Sequence, residues 1–365
     1  TYHLARQLAK AGHQIDVLTS RLKGQPSQAV EEGYTVYRVF SWRKGIHDCG
    51  FRGALSFVFS AIPRFLTLTK RNQYDCIHYY FGLPTGLLSL LPGKHSRIPY
   101  LVSLRGSDVP GYDPFNKRLQ QFHKLLMPIT RVIWKRAHAV VALSNNFKSL
   151  AEQSLNIKFG VIPNGVETSE FPYGGSRSVK GPLKLICVAR LIERKGIQHI
   201  FQAIKRLKGK DIQLTVVGEG PFHNTLVELA EHLSIADRVD FAGFCTSKEV
   251  AEKLARHDAF VLPSMAESFG MVFVEAMSSG LPIIATRIGG IPDIISEQNG
   301  TLIESENVTE LTDAIEHYYE HREQLSDIGA RNRRKVEEEF SWTRVAERYE
   351  DTYRTAINSS DDTEK

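Results

Sequence analysis

Short apolar runs of strand-forming residues alternate with amphipathic helical patterns from one end of the chain to the other. In the first half the predicted strands are HQIDVLT, TVYRVF, YDCIHYY, IPYLVSL, HAVVAL and FGVIP. In the second half they are LKLICVA, IQLTVVG, RVDFAG, DAFVLP, PIIATR and GTLI. Strands that are separated by helices usually pair in parallel and are covered on both faces. The pattern therefore predicts an α/β protein with doubly wound parallel sheets.

A Gly-, Pro- and Ser-rich stretch at residues 164–182, NGVETSEFPYGGSRSVKGP, separates the two sets of strands. We predict an N-terminal Rossmann-like domain over residues 1–165 and a second one over 166–340. A C-terminal helix within 341–365 is expected to pack on one of them, and the first is preferred. An α/β domain normally begins with a strand, whereas this sequence opens on the helical pattern TYHLARQLAK. We therefore expect the first strand and its Gly-rich loop to be missing.

Charge is distributed unevenly along the chain. Residues 1–165 hold 22 Lys plus Arg against 8 Asp plus Glu, and residues 166–365 hold 24 against 33, so the two parts carry +14 and −9. Such asymmetry predicts an anionic partner for the first part, either a membrane surface or nucleic acid, unless the two parts complement each other across a cleft. Nucleic acid is the weakest of these because the basic part lacks a recognition motif and interleaved aromatic residues.

Two stretches of the basic part combine apolar and cationic residues. They are FRGALSFVFSAIPRFLTLTKR at residues 51–71 and RLQQFHKLLMPITRVIWKR at residues 118–136. Each is typical of a domain helix that packs on a sheet. Each also has the composition of a helix that lies on an anionic membrane surface. The sequence leaves both interpretations open.

The four cysteines match no disulfide framework and no metal-ligand spacing; they are Cys49, Cys76, Cys187 and Cys245. Such isolated cysteines favour a reducing cytoplasm. The sequence shows no signal peptide pattern and no unbroken apolar stretch of about 18 residues.

The segment ESFGMVFVEA places Glu267 and Glu275 on either side of a predicted helix start, directly after the strand DAFVLP. Ligands of open α/β sheets bind at the carboxyl ends of strands, where free N–H groups at a helix start accept phosphate. The N–H groups of Phe269, Gly270 and Met271 are the candidates here. A helix would separate the carboxylates by about 12 Å, too far for a glycosidase-like pair. The alternative is two solvated glutamates.

Two further segments follow strands of the same predicted sheet. VARLIERKGI holds Arg190 and Lys195 in a short loop, where two cations are suited to neutralise a diphosphate. VVGEGP places Gly218 and Glu219 in a Gly-rich turn, a pattern that is weak by itself. Three such segments at one sheet edge predict a phosphate-containing ligand.

Together these segments resemble the retaining glycosyltransferases of family 4, also called group 1. The E-x7-E element of that family matches Glu267 and Glu275, and its phosphate-binding Arg and Lys match Arg190 and Lys195. The segments DCIHYYFGLPTG, SLRGSDVPGYD, HAVVALS and VIPNGVE follow in the family's order, so the resemblance covers essentially the whole chain. It implies the GT-B fold, in which two Rossmann-like domains face each other across a cleft.

The resemblance also implies roles for individual residues. Glu275 is expected to bind the ribose hydroxyls of a nucleotide sugar, and Glu267 the hydroxyls of the donor sugar. Arg190 and Lys195 are expected to clamp the diphosphate and to stabilise the leaving group. No metal is expected, and the sequence has no Asp-x-Asp motif. Backbone or side-chain groups near the donor are expected from Phe269, Gly270, Met271, Gly218, Glu219, Gly243 and Phe244.

Three residues of the first half are candidates for the acceptor side. Arg105 stands in SLRGSD, where the family often has a sugar-facing histidine, and an arginine is not a base at neutral pH. Asp108 follows it, either as an acceptor-side group or as a cap of the next turn. His78 ends a predicted strand, either facing the cleft or within the core.

The sequence thus predicts a metal-independent retaining enzyme without a cofactor. It would move a hexose or N-acetylhexosamine from a nucleotide-diphosphate sugar to a hydroxyl of a sugar, lipid-linked sugar or polysaccharide. A UDP-sugar is the favoured donor, and a GDP-sugar is the alternative. A cytoplasmic location suits that role in polysaccharide or glycolipid synthesis, with a peripheral position on the inner face of the plasma membrane as a further alternative. The alternatives are a nucleotide-sugar epimerase, a sugar-phosphate synthase and a catalytically silent nucleotide-binding relative.

Overall fold

The computed structural model describes residues 1–43, 50–113, 116–175 and 179–361, with side chains up to residue 359. Cys49, residues 176–178 of the predicted interdomain stretch and residues 362–365 of the C-terminal segment lie outside the described residues. The chain forms two compact units. The first unit consists of Thr1–Pro163 and Trp342–Lys365, and the second of Asn164–Ser341.

The strands are numbered in chain order. They are β1 Asp16–Ser20, β2 Gln28–Glu31, β3 Tyr34–Val39, β4 Ile77–Tyr80, β5 Tyr100–Ser103, β6 Ala139–Ala142, β7 Phe159–Val161, β8 Leu183–Val188, β9 Ile212–Val217, β10 Val239–Gly243, β11 Ala259–Leu262, β12 Ile283–Thr286 and β13 Gly300–Ile303.

The helices are numbered in the same way. They are α1 Tyr2–Lys10, α2 Gly50–Arg71, α3 Lys117–Arg136, α4 Asn145–Glu152, α5 Ile197–Arg206, α6 His223–His232, α7 Ser247–Ala255, α8 Met271–Ser278, α9 Ile291–Ile294, α10 Val308–Glu320, α11 Leu325–Lys335 and α12 Trp342–Asp361. Short 3₁₀ turns link several of these elements, among them Thr85–Leu90 and Glu193–Lys195.

The first unit contains two sheets. β4, β5, β6 and β7 pair in parallel in chain order, and their inner strands are almost fully buried. β1 pairs in parallel with β3, and β2 pairs antiparallel with β3. Buried strands whose neighbours run parallel need helices on both faces. The helices α1 to α4 and α12 belong to this unit.

The last helix of the chain packs within the first unit. Leu4 and Leu8 of α1 form one buried cluster with Val345 and Tyr349 of α12. His3 stacks on Trp342 beside this cluster, with ring centroids 5.3 Å apart. α12 is therefore part of the same core as α1.

The second unit is built on one six-stranded parallel sheet in the order β10-β9-β8-β11-β12-β13. Along the chain, the strands proceed outward from β8 to one edge and then from β11 to the other edge. The direction of winding thus reverses between β8 and β11. This is the strand order of a dinucleotide-binding Rossmann sheet, whose ligands bind at the carboxyl ends of the two strands beside the reversal.

The predicted α/β class with two Rossmann-like units of parallel sheet is confirmed. Each predicted strand segment overlaps one strand of the structure. β2 is a strand that the sequence analysis does not predict. It lies at a sheet edge with alternate residues exposed, and the turn to β3 passes through Glu32 and Gly33 at positive φ. Its polar sequence, QAVE, lacks the apolar run that marks the buried strands.

Candidate functional site

Two of the charged segments that the sequence analysis singled out follow the two strands at the sheet reversal of the second unit. Arg190 and Lys195 follow β8, and Glu267 follows β11. β8 and β11 are hydrogen-bonded neighbours, with Leu185 opposite Ala259. Because both strands end at the same sheet edge, their loops meet where the Rossmann fold binds ligands.

The loop after β8 is fixed against the loop after β11. Gly196 ends the Glu193–Lys195 turn at φ +72°, and a Cβ atom built there would overlap the carbonyl oxygen of Pro263. The Met265 N–H donates a hydrogen bond of 2.8 Å to the carbonyl oxygen of Arg194. Glycine is thus required for this approach, since no side chain fits between the two loops.

Lys195 and Glu267 form an ion pair in this region, with Lys195 Nζ donating to Glu267 Oε1. Their side chains are only 16% and 14% exposed, so the pair is largely shielded from water. Arg190, in the same loop as Lys195, is exposed. The structure therefore brings together two residues for which the sequence analysis predicted separate roles.

Helix α8 begins directly beyond Glu267. Gly270 precedes it at φ +84°, and the Phe273 N–H donates to the Gly270 carbonyl oxygen at 3.0 Å. The first N–H groups of a helix lack acceptors within the helix, and here these belong to Met271 and Val272. Phe269 is buried, and its ring lies 6.1 Å from that of Phe340. The Phe269 side chain thus anchors the turn before α8.

Glu275 lies in the second turn of α8 and is half-buried. Burial raises the pKa of its carboxyl group. Over the described ranges of the chain, no hydrogen bond or ion pair is found for this carboxylate. A desolvated carboxylate without a partner is unfavourable in the free protein. It is suited to accept hydrogen bonds from a ligand.

The loops after β9 and β10 complete the edge. The Leu191 N–H donates to the Glu219 carbonyl oxygen at 2.9 Å, and the Gly218 N–H donates to the Gly243 carbonyl oxygen at 2.8 Å. The Glu219 side chain points into solvent, and Phe244 is 71% exposed. An exposed aromatic ring at this edge offers a stacking surface for a planar group.

The acceptor-side candidates lie in the first unit, at and after β4 and β5. The buried Asp108 carboxylate accepts hydrogen bonds from the N–H groups of Gly82 (2.8 Å), Arg105 (2.9 Å) and Gly106 (3.0 Å). All three donors precede Asp108 in the chain, so this is a structural role, although not the cap of the next turn that the sequence analysis considered. The Arg105 guanidinium lies 4.5 Å from the Tyr80 ring centroid.

His78 is inside β4 and is hydrogen-bonded through both ring nitrogens. Its Nδ1 lies 2.7 Å from Tyr353 Oη, and its Nε2 lies 2.6 Å from Ser103 Oγ. Burial lowers the pKa of His78 well below its usual range. The structure thus gives His78 the surroundings of a core histidine, the other alternative left open by the sequence.

Two contacts at the second-unit site were missed by the sequence analysis. The first is the Lys195–Glu267 pair. The second contact joins the end of β12 and the loop after it to the loop after β11. A Cβ atom on Gly289 would overlap the Glu267 carbonyl oxygen. Thr286 Oγ1, at the end of β12, donates to the Ser264 carbonyl oxygen at 2.5 Å. The Gly-Gly dipeptide that follows PIIATR is the signal for the second contact, because a glycine pair after a strand marks a close backbone approach.

Family models match both parts of the chain. The model described as "Glycosyltransferase Family 4" matches residues 1–170, and the one described as "Glycosyl transferases group 1" matches residues 175–335. The chain is 28% identical to N-acetyl-alpha-D-glucosaminyl L-malate synthase of Bacillus anthracis, over 96% of this chain and 91% of that protein. It is 26% identical to the phosphatidylinositol N-acetylglucosaminyltransferase gpi3 subunit of Schizosaccharomyces pombe, over 96% and 76%.

Solved structures share the fold. Sucrose-phosphate synthase from Thermosynechococcus elongatus superposes with a TM-score of 0.78 at 22% identity, covering 98% of this chain and 92% of that one. HepE of Anabaena, solved in complex with UDP and glucose, superposes with a TM-score of 0.66 at 20% identity, covering 87% and 85%. With both parts of the chain matched and the fold shared, this protein belongs to the family 4, or group 1, glycosyltransferases and has the GT-B fold.

Proposed function

We propose that the protein transfers a hexose or N-acetylhexosamine from a nucleotide-diphosphate sugar to an acceptor hydroxyl, with retention of the anomeric configuration. The observation that carries this proposal is the group of charges at the β8–β11 reversal. Two cations, the start of α8 and the Glu275 carboxylate, which has no partner among the described residues, converge at the edge where Rossmann sheets bind nucleotides. Phosphates and sugar hydroxyls are the groups that such a set recognises.

Each group has a role in the proposal. Arg190 and Lys195 bind the diphosphate, together with the N–H groups at the start of α8. Glu275 accepts hydrogen bonds from the ribose hydroxyls, and Phe244 lies beside the base. Glu267 holds Lys195 in place through their ion pair and contacts hydroxyls of the donor sugar. Sugar and nucleotide are thus held on opposite sides of the diphosphate.

In the reaction, the bond between the anomeric carbon and the diphosphate oxygen breaks while the acceptor oxygen bonds to the same carbon. The nucleoside diphosphate leaves with the electron pair of the broken bond and develops additional negative charge, and an oxygen of that diphosphate takes up the proton of the acceptor hydroxyl. Fixed cations stabilise that charge more in the transition state than in the bound donor, which is how they accelerate the step. Arg190 and Lys195 supply two such cations, and we propose that no metal ion is needed.

The names of the relatives support the donor and acceptor classes. The two curated relatives are named for N-acetylglucosaminyl transfer, one to L-malate and the other to phosphatidylinositol, and HepE was solved with UDP. We therefore propose a UDP-linked N-acetylhexosamine or hexose as donor. The acceptor belongs to a polysaccharide or glycolipid, and the protein works in the cytoplasm. Among the first-unit candidates, Arg105 is the one that we propose for contact with the acceptor or donor, since it is partly exposed.

The test is nucleotide release from a panel of UDP- and GDP-sugars, with an acceptor mixture and with or without EDTA. We expect release from a UDP-sugar, unchanged by EDTA, and an α-linked product from an α-linked donor by nuclear magnetic resonance. Glu275→Ala should weaken UDP binding in calorimetry by about 1.5–3 kcal/mol, because it removes charged hydrogen bonds. Glu267→Ala should leave UDP affinity equal or tighter, since Lys195 loses its competing partner, and should lower turnover.

The matched control is Glu252→Ala, which removes an exposed glutamate of α7 in the same unit. It should change neither UDP affinity nor turnover. Equal UDP affinity in the wild type and Glu275→Ala would refute the role of Glu275. A strict requirement for Mg²⁺ or Mn²⁺ would refute the metal-independent mechanism, and an inverted product would refute retention.

A further inference from the structure

Large apolar side chains are exposed on two neighbouring helices of the first unit. Six of those that the structure describes as exposed lie on α2 and α3: Phe51, Leu55, Phe59, Leu66, Leu125 and Val132. Leu125 is 77% exposed, which is more than any other large apolar side chain among the described residues. Single exposed apolar residues are ordinary, but a contiguous group of them marks a contact surface.

On α2 these residues form one stripe. Phe51, Leu55 and Phe59 follow at intervals of four residues, and Leu66 continues the same side of the helix two turns later. The adjoining side of the helix is buried in the first unit through Phe57, Val58, Ala61 and Phe65. α2 is also long and apolar enough to cross a membrane by length and composition. Because one side packs on its own unit, we infer that α2 lies along a surface.

The exposed side of α3 is cationic. Its exposed cations recur at helical spacing; they are Lys117, Arg118, Lys124, Arg131, Lys135 and Arg136. Neither α2 nor α3 contains an aspartate or a glutamate. Within the described ranges, none of these six cations forms an ion pair with a carboxylate. Their charge is therefore available to an external anionic partner.

The two helices form one surface. The rings of Phe51 and Phe122 are in edge-to-face contact, with centroids 5.4 Å apart, which joins the start of α2 to α3. The exposed Trp42 lies beside α2, since its backbone N–H donates to Ser56 Oγ at 2.8 Å. We call the exposed sides of α2 and α3, together with Trp42, the α2–α3 surface. It combines an apolar stripe, a tryptophan and a row of cations.

We propose that the α2–α3 surface docks the protein on an anionic lipid bilayer. Apolar side chains that enter the boundary between headgroups and acyl chains, with Lys and Arg directed at anionic headgroups, are the recognition chemistry of an interfacial helix. A polyanion such as nucleic acid explains the cations but not the phenylalanine stripe. If a second copy of this chain docked through the same surface, the cations of the two copies would face and repel each other. The proposal does not depend on the roles given to the second-unit site.

The test is co-sedimentation of the intact protein with vesicles of phosphatidylcholine alone or with added phosphatidylglycerol. In the basic-face variant, Lys124, Arg131, Lys135 and Arg136 are all changed to Glu. In the apolar variant, Leu55, Phe59 and Leu125 are changed to Gln. A matched control changes Lys205, Lys208, Arg256 and Arg334 of the second unit to Glu, which alters net charge by the same amount at exposed positions.

Wild type and control should bind anionic vesicles at low salt and be released at about 0.5 M salt, where the Debye length falls to a few ångströms. Each basic side chain near such a bilayer contributes about fivefold in affinity, so the basic-face variant should bind at least about 100-fold more weakly. The apolar variant should bind anionic vesicles more weakly than the wild type at low salt, although it keeps all its cations. UDP calorimetry on all variants shows whether the second-unit site is intact, independently of membrane binding.

The proposal is overturned if wild-type protein stays in the supernatant with anionic vesicles at low salt. It is also overturned if the control loses as much affinity as the basic-face variant, because net charge would then explain the binding. Unchanged binding of the basic-face variant with a normal melting curve would likewise exclude this surface. Loss of UDP release with intact vesicle binding would count against the proposed reaction and leave the docking proposal standing.

Discussion

The loops at the carboxyl ends of the parallel strands are held differently in the two units. In the second unit, backbone lies against backbone at two places, Gly196 against Pro263 and Gly289 against Glu267. The Lys195–Glu267 ion pair and the hydrogen bond from Thr286 Oγ1 to the Ser264 carbonyl oxygen add to these contacts. In the first unit, a polar side chain holds the loops together. Asp108 binds three backbone N–H groups.

This difference decides which polar groups are available for chemistry. At the second-unit edge Arg190 is exposed, and Glu275 has no partner in the part of the chain that the structure describes. In the first unit, Asp108 and His78 are already hydrogen-bonded within the core. Two units of similar architecture thus differ in the chemistry they offer. The second presents charges at its strand ends, and the first presents them on its helices α2 and α3.

The largest effect is expected from Asp108→Ala. The substitution leaves three backbone N–H groups near the buried site without their acceptor, and we expect a loss of about 4 kcal/mol in the free energy of unfolding. The three tryptophans of the chain, Trp42, Trp134 and Trp342, all belong to the first unit. Urea unfolding followed by tryptophan fluorescence therefore reports on this unit.

Ser107→Ala is the control for Asp108→Ala, because Ser107 is the adjacent, exposed residue of the same loop. It should change stability by less than about 0.5 kcal/mol. If Asp108→Ala unfolds at the same urea concentration as the wild type, the first-unit loops do not depend on polar side chains. The proposed difference between the two units, in how the loops at their strand ends are held, would then be wrong.

A smaller effect than that of Asp108→Ala is expected from Gly196→Ala in the second unit, with Gly243→Ala as its control. The two glycines have nearly the same backbone angle, φ +72° and +65°, but a Cβ atom on Gly243 would meet nothing within 4 Å. Gly243→Ala should thus cost only about 1 kcal/mol, for the left-handed backbone. Gly196→Ala also forces the two loops apart and should cost about 3 kcal/mol.

Circular dichroism detects both units, whereas tryptophan fluorescence detects the first. Gly196→Ala should therefore shift the circular dichroism transition more than the fluorescence transition. Equal destabilisation by Gly196→Ala and Gly243→Ala would show that the loops after β8 and β11 move apart readily. The backbone contact would then not hold the second-unit site.

The sequence allowed the strands to be predicted because most of them are buried, and burial produces apolar runs that stand out between helices. It did not allow the Lys195–Glu267 pair to be predicted. These residues are 72 positions apart, and they meet because β11 pairs with β8 rather than with β10. Strand order is a property of the whole sheet, and a single run of residues carries little information about it.

The α2–α3 surface was ambiguous in the sequence for a related reason. α2 has apolar residues on both sides: Phe57 and Phe65 are buried, whereas Phe51 and Phe59 are exposed. A helix that is apolar all round is usually buried. Only the position of α2 in the first unit shows which side faces solvent. The exposed side of α3 could be read more directly, because its cations recur at helical spacing.

The smallest effect in this comparison concerns Glu275 and the stability of the second unit without ligand. Burial raises the pKa of the Glu275 carboxyl above its ordinary value of 4.5. The folded state thus holds this proton more tightly than the unfolded state, and the side chain reduces stability once it is ionised. This loss develops as pH rises from about 4.5 through the folded pKa.

Glu275→Gln keeps the size of the side chain and removes its charge. We expect the variant to melt at a higher temperature than the wild type at pH 7, with the difference closing below pH 4.5. The Glu252→Ala control removes an exposed charge and should show no such convergence. The gain in stability should accompany weaker UDP binding, because a carboxylate kept at a cost to stability is expected where a ligand requires it. If Glu275→Gln is less stable than the wild type at pH 7, the carboxylate has a structural partner. In that case the polar groups of the second unit, like those of the first, would stabilise the fold and would not be kept for a ligand.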